Sequence, residues 1–220
     1  MTKRLGQFLG GLLLISLCAG CAPTKSVDYS AFKQSHPRSI VVLPPLNESP
    51  DVKATYGMLA QVTYPLAEAG YYVLPVALVD ETFRQNGVTA PGDIHQIPVT
   101  KLHEIFGADA ALYITVTAYG TSYMVISSAT IVTASAKLVD LKSGATLWTG
   151  TASASSEEGG NNGGGGLVGA LVTAAVKQII SSSVDDAGYP IAGITGQRLL
   201  SAGHPTGLLY GPRSPKYGTD

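Results

Sequence analysis

Cysteine is scarce in this 220-residue chain, which holds two, Cys18 and Cys21, and none beyond them. Once the first twenty residues are removed a single thiol remains, so an intramolecular disulfide is excluded even in an oxidising compartment. Histidine is nearly as sparse. His36, His95, His103 and His204 lie far apart, except that His95 and His103 stand eight apart across Pro98. None of these is the spacing of a metal site, and solvated positions on loops or helix surfaces are expected for them. Charge is thin, at 13% of residues, and balanced. Neither nucleic acid nor an anionic membrane surface is indicated as a partner. The apolar run from Phe8 to Leu17 falls short of the roughly 20 residues a membrane span needs. No G-x-S-x-G elbow is present. The pairs Glu157-Glu158 and Asp185-Asp186 are adjacent, so they face apart on a strand and solvate loops rather than share a proton. No catalytic residue, metal or cofactor is expected, and the chain reads as non-enzymatic.

What is present begins with a sorting signal. Lys3 and Arg4 precede the apolar run, and the small residues Ala19 and Gly20 follow it, the layout of a cleaved secretory signal. Cys21 follows those small residues, whereas Cys18 follows the bulky Leu17. The stretch "LLLISLCAGC" resembles a bacterial lipobox, although Cys18 stands where leucine is usual. That resemblance implies cleavage before Cys21 and a diacylglycerol on its sulfur, with Cys18 as filler in the discarded signal. Ala22 follows where lipoproteins kept at the inner membrane commonly have Asp, which implies transfer to the outer membrane of a diderm envelope. Removing residues 1 to 20 takes Lys3 and Arg4 and leaves 12 basic against 15 acidic residues.

The mature length suits one medium domain with a sizeable core. Residues 21 to 37 are polar and aperiodic, and read as anchor and tether. "SIVVL", Ser39 to Leu43, is a buried strand stopped by Pro44-Pro45. "LPPLN" is then either recognition surface or a rigid exit from that strand. Between Lys53 and Ala69 apolar residues recur at three and four, predicting a helix that Pro65 kinks or restarts. "YYVLP" from Tyr71 is a second strand. Further helices are expected over Val76 to Gln85, closed by Asn86-Gly87, and over Val99 to Phe106, ended by Gly107, with a loop at Pro91-Gly92 between them.

The second half alternates instead. Leu112, Ile114, Val116 and Ala118, then Val132, Ala134, Ala136 and Leu138, occupy every second position, the period of half-buried strands. "DLKSG", Asp140 to Gly144, is a hairpin loop, and Leu147 to Ser155 returns as the partner strand. Thr133, Ser135 and Lys137 form a polar solvent face, and an antiparallel sheet follows. "GGNNGGGG", Gly159 to Gly166, is a loop without the Lys-Ser/Thr pair of a phosphate loop. Leu167 to Ser182 has helical spacing with one narrow polar stripe, Thr173, Lys177 and Ser181. It packs centrally on the sheet, or buries a further face against another subunit or the membrane. Leu167, Leu171, Val172, Val176 and Ile180 are the candidate interaction surface. From 187 to 220 glycine and proline recur with little period, and this tail is expected to wrap the domain surface or to bind something.

The resulting expectation is an α/β (α+β) single domain over residues 38 to 186, with a mixed sheet, an antiparallel hairpin half and three to four helices. "VVLPPLNESPDVKAT" from Val41 and "PLAEAGYYVLPVALVDETFRQNG" from Pro65 resemble a bacterial lipoprotein family of unknown function that includes a neisserial genome-derived surface antigen. "GADAALYITV" from Gly107, "AKLVDLKSGATLWTG" from Ala136 and "GLLYGPR" from Gly207 fit the same family. "GADAALYITV" and the hairpin through "VDLKSGATLW" are also similar, more distantly, to CsgG-like and LpoB-like envelope lipoproteins. These resemblances imply an outer-membrane lipoprotein on the periplasmic or outer face, acting as an accessory in envelope assembly, secretion or maintenance. They imply CsgG-like and small lipoprotein partners, and the broad apolar surface of Leu167 to Ser182 adds a homo-oligomer as an expectation. The alternatives are a component of a CsgG-like secretion channel and a cell-wall-acting enzyme. Nothing in Met124 to Ala129 matches the long membrane-spanning hairpins of a curli-type channel.

Overall fold

The two periodicities of the sequence meet in one six-stranded sheet. The computed structural model describes residues 27–123, 128–158 and 186–220. In chain order the elements are α1 (Ser30–Ser35), β1 (Ser39–Val42), β2 (Leu46–Asn47), α2 (Ala54–Leu59), α3 (Thr63–Glu68) and β3 (Tyr72–Val73). They continue as α4 (Val76–Gln85), α5 (Pro91–Ile94), α6 (Val99–Phe106), β4 (Ala110–Tyr123), β5 (Ser128–Asp140), β6 (Thr146–Ser155) and α7 (Gly188–Leu200). The strand order is β3-β1-β4-β5-β6, with β2 also beside β4. β1 is parallel to β3 and β4, while β4, β5 and β6 run antiparallel. Parallel neighbours need helical crossovers and antiparallel ones need only hairpins, so the helix-rich first half builds the parallel side.

Alternation divides the core between two faces. Ile40, Val42, Leu112, Ile114, Val116 and Leu138 face α2, α3 and α7, joined by Met58, Leu66, Trp148, Ile191 and Leu199. Val41, Leu43 and Ala111 point the other way, onto Val79, Phe83, Ile94 and Leu102 of α4 to α6. β1 is therefore buried on both faces and reads as a continuous apolar run. The second cluster ends at Tyr113, and from there the outer face of β4, β5 and β6 is polar and open.

The helices over Val76–Gln85 and Val99–Phe106 match their expected bounds. The expected helix over 53 to 69 is two, with Pro65 in the first turn of the second, where its missing N–H costs no helical bond. Pro44-Pro45 does not end the pairing. Val42 pairs with Leu112 and Leu46 with Thr115, so three residues between these pairs on one strand oppose two on the other, and β2 resumes beside β4 after the insertion. Both prolines are buried, and their carbonyls accept from His95 Nε2 (2.9 Å) and Thr55 Oγ1 (3.2 Å). The prolines of "LPPLN" form a rigid strand exit, and Leu46 after them joins the lining of a surface groove.

Two expectations are corrected. The expected tether over 21 to 37 ends earlier, because α1 is part of the fold: Phe32 is buried and the Tyr29 hydroxyl donates to Gly207 O at 2.5 Å. The segment after Asp186 was expected to lack period, yet its first half is α7, a helix lying across β5 and β6. Its glycines and Pro190 weaken helical propensity, and packing overrides them. Pro190 sits in the first turn, and Gly188 and Gly57 on α2 give the Tyr119 ring its place between the two helices. The rest of the segment does wrap the domain, and the described residues hold seven helices rather than three or four. The helix expected over Leu167 to Ser182 falls outside the described residues, as do its five candidate contact residues.

Tyr119 is buried, and its hydroxyl donates to Asp186 Oδ2 at 2.8 Å. Burial first, and then the Asp186 carboxylate, push that phenol far above its ordinary pKa. Tyr119→Phe removes the bond and keeps the ring, so it should destabilise by only about 1 kcal/mol in denaturant unfolding. A much larger loss would show that Asp186 depends on this hydroxyl for its placement.

Candidate functional site

Among the described residues, one concavity lies over the sheet and another beside the C-terminal segment. The larger, about 770 Å³, lies over the open face of β4 to β6 and continues around the edge of β6 to Arg198, His204 and Thr206. Register aligns its outer-face residues in cross-strand rows: Tyr113, Lys137 and Thr149 in one, Thr115, Ser135 and Thr151 in the next. Period-two alternation turns all six side chains to the same side. Lys137 Nζ stands 5.2 Å from the centroid of the Tyr113 ring, and the His95 ring meets the same ring edge-on at 5.2 Å. Trp148 closes the edge from the core side, its Nε1–H donating to Thr206 O at 2.9 Å.

Electrostatics give this groove a sign. Its lining includes Lys137, Arg198, His95 and His204, and no carboxylate. Burial, with a smaller push from Lys137, lowers His95 below its ordinary pKa, against the opposing effect of its bond to the Pro44 carbonyl. His95 is therefore neutral near pH 7 and donates from Nε2–H. Burial raises the Tyr113 phenol. Arg198 is held by Glu158 (2.5 Å) and by Ser153 O (2.8 Å). The fixed, unneutralised cation is Lys137, whose ammonium rests on an aromatic face rather than on a carboxylate.

The smaller concavity, about 270 Å³, is lined by Phe32, Tyr71, Leu209, Tyr210 and Tyr217. The last residues close it: Lys33 Nζ donates to Asp220 O at 3.0 Å, and Tyr210 N–H to Asp220 Oδ2 at 2.7 Å. The Tyr71 hydroxyl is engaged with Leu209 O at 2.6 Å. With its polar groups turned to the chain itself, this space belongs to the packing of the C-terminal segment.

The sequence-selected residues distribute as follows. Cys21, Leu167, Leu171, Val172, Val176 and Ile180 lie outside the described residues. Of the histidines, His103 Nδ1 donates to Ala108 O (2.9 Å) and His36 Nδ1 lies 3.2 Å from the Tyr217 hydroxyl, while His95 and His204 join the groove. Among the described residues no three His, Cys, Asp or Glu converge on a metal position, and no helix is long and apolar enough to cross a membrane. The groove was half visible in the sequence, as the polar alternation of Thr133, Ser135 and Lys137. What hid the rest is that Tyr113, Lys137 and Thr149 become neighbours only through strand register.

Comparison with known proteins places these features in a family. Residues 27–213 match the family described as "Putative lipoprotein GNA1162-like". The chain is 52% identical over 205 residues to the Neisseria meningitidis serogroup B protein described as "Putative lipoprotein NMB1124/NMB1162", covering 92% of this chain and 94% of that one. The crystal structure of lipoprotein GNA1162 from Neisseria meningitidis is 59% identical in sequence, with a TM-score of 0.54, over 66% of this chain and 100% of that chain. The LpoB C-terminal domain from Salmonella enterica is 16% identical, with a TM-score of 0.39, over 54% of this chain and 83% of that chain.

Proposed function

Since the chain belongs to the GNA1162-like lipoprotein family, we propose that it is a non-enzymatic accessory of the cell envelope, anchored to the outer membrane through a diacylglycerol on Cys21. In this reading it self-associates on the periplasmic face and binds other envelope proteins. The observation that carries the reading is the shortness of the link between Cys21 and the folded domain. Val27 already lines the groove, and Tyr29 and Phe32 are tied into the fold. The six residue-to-residue steps from Cys21 to Val27 span at most about 20 Å. A lipid on Cys21 would therefore hold the domain against the membrane surface, with the groove within reach of neighbouring anchored proteins. The open hydroxyl-rich face with a single fixed cation suits contact with a polar partner better than turnover of a small substrate, which needs convergent titratable groups.

Native mass spectrometry of the protein extracted in mild detergent from its own membranes tests the reading. The expected spectrum carries the mass of the lipid on Cys21, a homo-oligomeric series and co-purifying envelope proteins. Cys21→Ser should lose the lipid mass and leave the membrane fraction. A monomer without companions would end the assembly reading, and a membrane-bound Cys21→Ser protein would end the anchor.

A further inference from the structure

The two edges of the sheet are finished differently. At one edge β3 is two residues long, and the C-terminal segment lies beside the turn that precedes it. Gly211 N–H donates to Ala69 O (2.8 Å), Arg213 N–H donates to Gly70 O (3.0 Å), and the Arg213 guanidinium stands 5.0 Å from the Tyr72 ring centroid. A very short strand under a cation offers no template to another chain. At the opposite edge β6 is ten residues long and pairs only with β5 among the described strands.

Register shows which groups that edge presents. Ser156 N–H donates to Thr130 O at 2.9 Å, and the same alignment pairs Ala154 with Val132, Ala152 with Ala134 and Gly150 with Ala136. Bonded pairs recur at every second residue of an antiparallel ladder, so Thr149, Thr151 and Ser153 turn their N–H and C=O away from β5. The Ser153 carbonyl bears this out, because it accepts from Arg198. Thr149 and Thr151 are exposed, and their outward backbone groups have no partner among the described residues. Two donors and two acceptors are thus offered in the plane of the sheet, beside a groove whose described lining holds the unneutralised Lys137 ammonium and no carboxylate.

We propose that the β6 edge at Thr149 and Thr151 is a strand-addition site for an extended acidic segment of a partner protein. The added backbone pairs with the outward groups of β6, and every second side chain of the added strand falls on the outer face, where Lys137 stands one strand away from Thr149. Acidic residues at alternate positions are what that geometry selects. A second copy of this chain would set Lys137 against its own counterpart, so charge disfavours self-pairing at this edge. The proposal rests on the partner-binding reading above and gives it a surface.

The test uses the full lipidated protein in detergent and labelled nonapeptides alternating threonine with glutamate, glutamine or lysine, read by fluorescence anisotropy. The glutamate peptide should bind about tenfold more tightly than the glutamine peptide, and the lysine peptide should not bind. Thr151→Pro removes an outward N–H while leaving the β5–β6 ladder bonds intact, and Lys137→Glu reverses the charge. Each should weaken the glutamate peptide about tenfold with the circular dichroism spectrum unchanged. A glutamate peptide N-methylated at alternate residues repeats the backbone test on the unaltered protein and should not bind. Equal binding of the lysine peptide, no binding of the glutamate peptide, or indifference to both the N-methyl groups and Thr151→Pro overturns the proposal. Loss of the homo-oligomer on Thr151→Pro overturns it too, by assigning the edge to a second copy. Should the peptides fail while native mass spectra retain the co-purifying proteins, this site falls and the partner-binding reading stands.

Discussion

Gly70→Val is expected to unlatch the C-terminal segment and lower stability by about 4 kcal/mol, the sum of an unfavourable backbone region and a clash that cannot relax. Gly70 ends α3 with φ +101°, a region that side-chain-bearing residues rarely adopt. A Cβ there would also meet the backbone N of Ser214 and lie 2.7 Å from Gly211 O. Both are main-chain atoms, so no rotamer change clears the space. Gly211 faces the same contact from the other side, its own Cβ falling 2.6 Å from Gly70 O. The two glycines let the chains approach closely enough for the bonds from Gly211 and Arg213, and for Tyr71 to reach Leu209 O. For a domain of this size the loss corresponds to a melting temperature lower by roughly 8–16 °C. Hydrogen exchange should rise across 207 to 217 before it rises in β4. Because the residues share one contact, Gly70→Val and Gly211→Val together should cost less than their separate effects added. A variant that melts like the parent would show that the segment is not held through this contact.

This contact also explains why "GLLYGPR" stands out in the sequence without revealing its role. Gly207 and Gly211 give close approach, and Leu208 is buried. Glycine spacing alone cannot say which distant backbone comes near. "GADAALYITV" behaves likewise. Gly107, at φ +63°, ends α6 as its sequence implied. Asp109, however, works on a strand seventy residues earlier, its Oδ2 accepting from Arg38 N–H (3.0 Å), Ser39 N–H (3.1 Å) and Ser39 Oγ (3.0 Å). Elements with a strong period and a clear stop, such as α4, α6 and β4 to β6, were legible from their own residues. Those fixed by tertiary contacts were not: α1 has one buried apolar residue, and α7 carries Gly188, Gly193, Gly196 and Pro190 inside thirteen residues. The candidate groove follows the same division. Its polar alternation and its cation, Lys137, are local and readable, whereas its walls depend on residues from the end of α5, from α7 and from the C-terminal segment that the fold gathers around the sheet.

Asp140→Ala is expected to destabilise by about 3 kcal/mol at pH 7 and to make stability less sensitive to acid. Asp140 closes the β5–β6 hairpin: Oδ1 accepts from Lys142 N–H (3.0 Å), Ser143 N–H (2.6 Å) and Ser143 Oγ (2.8 Å). Oδ2 accepts from Ser35 Oγ at 2.5 Å and so ties the hairpin to α1. The residue is 6% exposed, so alanine would leave those donors with little water to replace the carboxylate. Burial alone would raise this carboxyl, but the bonds from Ser35, Ser143 and Lys142 outweigh it and hold the pKa below the ordinary value. Asp109 is lowered in the same way by Arg38, Ser39 and Lys142 against its own burial. A carboxyl depressed on folding stabilises above its unfolded pKa, near 4, and that contribution is lost as pH falls through the folded value. Urea unfolding at pH 7 and at pH 3 should therefore show the gap between parent and Asp140→Ala narrowing at the lower pH, as the parent begins to lose what the variant never had. A gap of equal size at both pH values would mean that the charge on Asp140 contributes nothing, and that the hairpin is held by shape and neutral hydrogen bonds alone.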